Sequence, residues 1–338
     1  MENSENKTHL RLLQYAALSV LLIGDYWGLR ASTWTGSSSV HTIMESLATA
    51  LALIVGIIAL LNFYTNRSRV FLFVGAGFIG TAALDGYHAL VTSEYFVAFL
   101  PSLPPSLIPW SWIASRVFLS IALFLSWYFW YRESNQSEEQ NFSPTSVYAL
   151  FSLFTLSSFL FFAFVPLPRA YYPELFFGRP EEFIPAAFFL FALIGYLKKG
   201  LWRTNDFEHW MVLALIVSFI GQAVFMSFSK ELFDFQFDSA HLLKKLSYVC
   251  VLVGLLISMY EIFTREKLSQ KQLEQQSAIL IKDQKRLKTQ QEELKKAKDL
   301  AEEKLQESER LTKVMVDREL KMVELKKEKE KNENGYKE

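Results

Sequence analysis

The residues with most chemistry in this chain sit at the ends of apolar runs. His41 and Glu45 are four residues apart at the head of one run. Asp85 and His88 are three apart near the end of another, in "TAALDGYHAL", and His241, Lys244 and Tyr248 lie in "DSAHLLKKLSY" at the head of a third. Residues three or four apart share a helix face, so each group can address one point. Three imidazoles and two carboxylates (His41, Glu45, Asp85, His88 and His241) suit a zinc, iron or copper ion. The same set suits a small polar or anionic ligand, with Arg116 and Lys244 as counter-charges. A haem, which needs one or two axial histidines, is the lesser option. The patterns H-x-x-x-E and D-x-x-H are too short to select among these.

The elements that must position these residues are membrane spans. About 20 apolar residues cross a bilayer core, and eight segments qualify, at 10–29, 41–63, 70–92, 110–131, 145–166, 182–197, 207–229 and 239–263. The sixth is short and contains Pro185. The first ends in "GDYWGLR" without a small-residue cleavage site, so no cleavable signal peptide is expected. Lys7, Arg11, Arg67, Arg69, Arg132, Lys198, Lys199 and Arg203 fall in one set of loops, against Arg30, Arg169, Arg179 and Lys230 in the other. The positive-inside rule makes the first set, and both termini, cytoplasmic. The outer loops, "LPSLPPSLIPWSW" and "PLPRAYYPELFFGRPEEF", are rich in interfacial aromatics. One cysteine, Cys250, excludes an internal disulfide, and a net charge of zero gives no basis for nucleic-acid binding.

On these spans Asp25, His41, Glu45, Asp85, His88, Trp110, Arg116, Glu182, His241, Lys244 and Tyr248 all lie in the outer half. At about 1.5 Å per residue, Glu45 is about 6 Å below His41 and Asp85 about 4.5 Å below His88, so the pairs overlap in depth. A charge at the centre of a span costs roughly 2.5–3.5 kcal/mol on insertion scales, which favours one shared polar cavity. Asp25 and Lys230 can equally be interfacial, and Glu182, Arg116 and Lys244 can be structural ion pairs. The inner half is expected to hold nothing comparable; His209 sits at its edge beside Trp210.

From Arg265 the composition changes to Lys, Glu, Gln and Leu, dividing the chain into 1–263 and 264–338. Leu273, Leu280, Leu287, Leu294 and Ala301 recur every seven residues, a coiled-coil seam. The alternate core positions Ser277, Gln284, Gln291 and Lys298 are polar, so the coil is expected to be weak and able to change register. The expected class is all-α: eight transmembrane helices followed by a long cytoplasmic coiled-coil helix, paired as a homodimer.

H-x-x-x-E on the second span, D-x-x-H closing the third, Trp then Arg opening the fourth, and "FDSAHLLKKLSY" leading into the eighth make residues 10–263 similar to bacterial membrane-associated sensor domains, most closely their third class. "MVDRELKMVELKKEKEK" (Met315–Lys331) resembles linkers ahead of sensor or histidine-kinase modules. The resemblance implies the input region of a histidine kinase or diguanylate cyclase type protein of a bacterial inner membrane, coupled to a cytoplasmic signalling enzyme. No phosphorylatable-histidine helix, Gly-rich ATP site or G-G-[DE]-[EF] signature follows, so either a truncated sequence or an input module acting on a separate enzyme is expected, without catalysis of its own. The alternatives are a transport or membrane redox protein, which would carry polar residues through the whole thickness or a second inner site, and a scaffold whose coil recruits partners.

Overall fold

The computed structural model describes residues 2–93, 96, 99, 102–135 and 143–334. Leu100 and Pro101 of the expected outer loop, and Gly335–Glu338 of the tail, lie outside them. The helices are α1 (Glu2–Leu29), α2 (Ser38–Asn66), α3 (Arg69–Val91), α4 (Pro104–Asn135), α5 (Pro144–Phe164), α6 (Phe183–Lys199), α7 (Asp206–Ile220) and α8 (Phe235–Asn334). Among the described residues, eight helices are long and apolar enough to cross a membrane. Among the described residues, extended pairing is confined to one isolated bridge between Thr35 and Asp234.

Local chemistry explains the boundaries. Ser37 caps α2 by accepting from the Val40 amide, and Asn205 caps α7 by accepting from the Glu208 amide, each satisfying a donor that the first helical turn leaves free. The fourth helix starts at Pro104, ahead of the expected 110, because proline is well placed in a first turn. Pro185, the third residue of α6, is tolerated for the same reason. A 3-10 turn, Pro180–Glu182, leads into α6. The seventh span is not uniform: α7 passes into a π-helical turn, Gly221–Met226.

The bundle has a centre and a rim. About 78% of the most apolar stretch of α3 and of α7 is buried, and 67% of that of α4, against 17% for α1 and α5. The centre is tight because glycines let backbones approach. A Cβ on Gly77 would stand 2.5 Å from that of Ala122, and one on Gly195 would meet the Trp127 ring at 2.2 Å. The rim shows exposed Leu, Ile and Phe, such as Leu13, Ile43, Leu153 and Phe154, as a lipid-facing surface does.

The chain divides into two compact units, Met1–Phe263 and Thr264–Glu338. Within the second, Leu273, Leu280, Leu287 and Leu294 are 59–72% exposed on a continuous helix.

Candidate functional site

The site is registered by the bridge between the α1–α2 connector and the start of α8. Thr35 pairs with Asp234, the Gly36 amide donates to the Phe233 carbonyl at 2.8 Å, and Trp34 Nε1 donates to Asp238 at 2.8 Å. Phe233 takes a left-handed φ of 63°, and Asp234 caps α8 by accepting from the Phe237 amide at 2.7 Å. From this clamp α2 and α8 run the same way. His41 is the fourth residue of α2 and His241 the seventh of α8, so both histidines lie within the first two turns of their helices. Glu45 and Lys244 follow one turn later. α3 arrives from the opposite end and brings His88 to the same depth.

His41, Glu45, His88 and His241 converge, each offering one ligating atom, with these atoms within 4.8 Å of one another. All four are at most 1% exposed. His41 Nε2 lies 3.1 Å from His88 Nε2, and His241 Nε2 lies 3.6 Å from Glu45 Oε1. The outer partners fix two tautomers. His241 Nδ1 faces the Phe237 carbonyl at 2.7 Å, which can only accept, so Nδ1 carries the proton. His88 Nδ1 faces Ser111 Oγ at 2.7 Å, and that hydroxyl donates to the Leu107 carbonyl at 2.6 Å, so His88 donates there too. Both rings therefore turn an Nε2 lone pair inward. Trp112 packs on His241 with ring centroids 4.1 Å apart, and Phe237 covers it at 4.2 Å. His241 Nε2, Glu45 Oε1 and His41 Nδ1 are buried without a hydrogen-bond partner. A buried polar atom left unpaired costs about 1–3 kcal/mol, and three in one place mark a site that favours a ligand.

Asp85 does not join the histidines. One turn from His88, it accepts from Ser115 at 2.6 Å, Tyr248 at 3.1 Å and Lys244 at 3.3 Å. Lys244 also donates to Glu45 Oε2 at 2.5 Å, so this ammonium joins the histidine cluster to Asp85. His241, Lys244 and Tyr248 form one face of α8. Next comes Arg116, which donates to Gln222 at 3.2 Å and reaches the Tyr248 hydroxyl at 3.5 Å. Gln222, in the π-helical turn, donates to Glu182, and Glu182 pairs with Arg179.

Several sequence expectations are corrected here. Asp25 is exposed on the rim. Trp110 points away, its Nε1 donating to the Pro168 carbonyl at 2.9 Å; Trp112 is the ring at the site. Arg179, counted as an outer-loop cation, is fully buried. Ser111, Ser115 and Gln222 were not anticipated. For Trp112 a signal existed: it precedes Arg116 by four residues, and the guanidinium lies 5.6 Å from its ring. For the serines none did.

The inner half is also corrected. At the α2–α3 end, Arg11 pairs with Asp206 and donates to the Trp202 carbonyl. Lys199 pairs with Glu208 and lies 4.5 Å from the Trp130 ring centroid, and the Tyr15 hydroxyl meets His209 Nδ1 at 2.8 Å. Arg11, Lys199 and Glu208 are nearly fully buried rather than loop charges. Between His209 and Gln222 the buried side chains of α7 are apolar except Ser218, with Met211, Val212, Leu215 and Val217 at most 1% exposed. On α7 an apolar stretch therefore lies between the two polar ends, while α3 and α4 bury Thr81, Ser120 and Ser126 between theirs.

An eight-helix membrane bundle with a buried histidine–carboxylate cluster at one end, and a heptad-patterned helix following its last span, has the plan of a membrane sensor. The MASE3 family model, described as a membrane-associated sensor domain, matches residues 34–260, and the chain belongs to that family. The matched segment holds all four clustered residues and begins after α1. No curated protein and no solved structure matches the chain.

Proposed function

We propose that this membrane sensor detects a small ligand or ion at the His41–Glu45–His88–His241 cluster and reports it through α8. One observation carries the reading: His241 and Lys244, which touch the cluster, stand on the same unbroken helix as the heptad leucines. A ligand that binds one packing of α8 more tightly shifts the population toward it. The leucine stripe pairs in parallel with a second copy, and the dimeric coil conveys the shift to a cytoplasmic signalling enzyme. The chain serves as input to that enzyme. The setting is a bacterial inner membrane with both termini inside.

The polar cluster at the α2–α3 end is the observation that favours a transport or redox protein. Its members are paired with one another, and on α7 an apolar stretch separates them from Gln222, which supports a structural clasp over a pathway.

In membranes, with Cys250 replaced by serine, cysteine at Leu280 or Leu287 should crosslink far faster than cysteine at Lys285. Equal rates at the three positions would remove the dimeric coil. Reporter fusions after Arg67 and Arg132 should read cytoplasm, and those near Ser106 and Glu174 outside. A cytoplasmic reading at Ser106 would invert the orientation.

A further inference from the structure

We infer that the four-residue cluster is a binding site for a divalent first-row transition-metal ion, zinc in the first instance, with Ser111 and the Phe237 carbonyl as the groups that orient its imidazoles. The inference rests on the sensory reading above and names what is sensed.

The donor set selects the class of ion. Three imidazole nitrogens and one carboxylate oxygen are the ligands of borderline ions such as zinc. Calcium and magnesium take oxygen ligands, and cuprous ion takes sulfur. The spacing fits as well. A tetrahedral ion with bonds of 2.0–2.1 Å sets its ligands about 3.3 Å apart; His41 to His88 and His241 to Glu45 are 3.1 and 3.6 Å, and all four ligating atoms lie within 4.8 Å of one another. The outer groups fit a third way. Metal-bound histidines usually donate their other nitrogen to a carbonyl, carboxylate or similar acceptor. His241 does so to the Phe237 carbonyl and His88 to Ser111. A histidine cluster held only by mutual hydrogen bonds needs no such alignment, and it would not leave His241 Nε2 and Glu45 Oε1 without partners.

Lys244 completes the chemistry. It holds Glu45 Oε2 and Asp85, leaving Glu45 Oε1 for the ion. A second ammonium, Lys245, donates to the His241 carbonyl at 2.6 Å, so the two carboxylates and two ammoniums leave the locality formally neutral before a divalent cation enters. Because His241 and Lys244 are on α8 while His41, Glu45 and His88 are on α2 and α3, the ion ties α8 to the other two helices.

The test uses the full chain in detergent, stripped with chelator and titrated with cobalt(II) alone as a coloured substitute for zinc. One ion per chain should bind, with the strong visible bands of four-coordinate cobalt, and zinc should displace it. His88→Ala and His241→Ala should abolish the bands, and His209→Ala should retain them. Ser111→Ala removes only a hydroxyl and is expected to fold; it should weaken binding roughly 10–100-fold. Absence of saturable binding by the wild type, or wild-type titrations for both Ser111→Ala and His88→Ala, would overturn the site. Tail crosslinking separates the two readings. If cobalt fails to bind but His241→Ala still alters crosslinking at Leu280, the metal is wrong and the sensor stands. If cobalt binds and leaves crosslinking unchanged, the metal site stands and the sensory reading falls.

Discussion

Lys244→Met should destabilise the bundle by about 3–5 kcal/mol, the range for removing one partner of a buried ion pair. Lys244 is 2% exposed and is held by both Glu45 and Asp85. Its ammonium also lies 4.7 Å from the centroid of Trp112. Methionine keeps most of the stem packing, so the loss reads the charge. Two carboxylates would remain in a low-dielectric centre where desolvation is not repaid. Adding Glu45→Gln and Asp85→Asn in the same background should recover much of the loss, because the uncompensated charge disappears. Equilibrium unfolding in mild detergent measures both steps. A loss under about 1 kcal/mol for Lys244→Met, the scale of a solvent-exposed pair, would mean that the ammonium reaches water.

Arg179→Ala should have an effect of the same size, about 3–5 kcal/mol, although it lies ahead of α6 in a segment that reads as a loop. Its guanidinium is fully buried. It pairs with Glu182, lies 3.6 Å from Glu181, donates to Met226 Sδ at 2.8 Å and reaches the Pro109 carbonyl at 3.4 Å. It therefore joins the approach to α6, the π-helical turn and α4. Arg179→Lys should recover only part, since an ammonium lacks the planar fork that spans these partners. The contrast is Arg169, whose pair with Glu174 is exposed; Arg169→Ala should leave the melting temperature unchanged. Equal melting temperatures for the two alanine variants would show that Arg179 does not hold these three elements together.

The sequence carried the architecture because membrane spans announce themselves by length and apolarity, and the eight expected segments match eight helices. The histidines were legible because imidazole at the edge of an apolar run is unusual, and the i, i+4 and i, i+3 spacings set the faces. What could not be read was which neighbour each face meets. Asp85 and His88 share a face of α3 but differ by one turn in depth, enough to give them different partners. Trp110 and Trp112, two apart on a helix, point to different sides, and no periodicity in a uniformly apolar segment chose between them. Ser111 and Ser115 carry no signal, since a serine in a membrane helix commonly bonds its own backbone. Arg11, Lys199 and Arg179 read as loop charges because hydropathy ignores whether a partner waits across the bundle.

The bond between Glu45 and Lys244 joins residues 199 apart in the chain, and this has a consequence for biosynthesis. Chains grow from the N-terminus at roughly 5–20 residues per second, so on the order of 10–40 s separates synthesis of Glu45 from that of Lys244. Throughout that interval α2 and α3 hold two carboxylates, Glu45 and Asp85, whose ammonium partner on α8 does not yet exist. The last helix to enter is the one that neutralises them. Until α8 arrives, a growing chain carries these two carboxylates without their counter-charge, and once α8 has packed it does not.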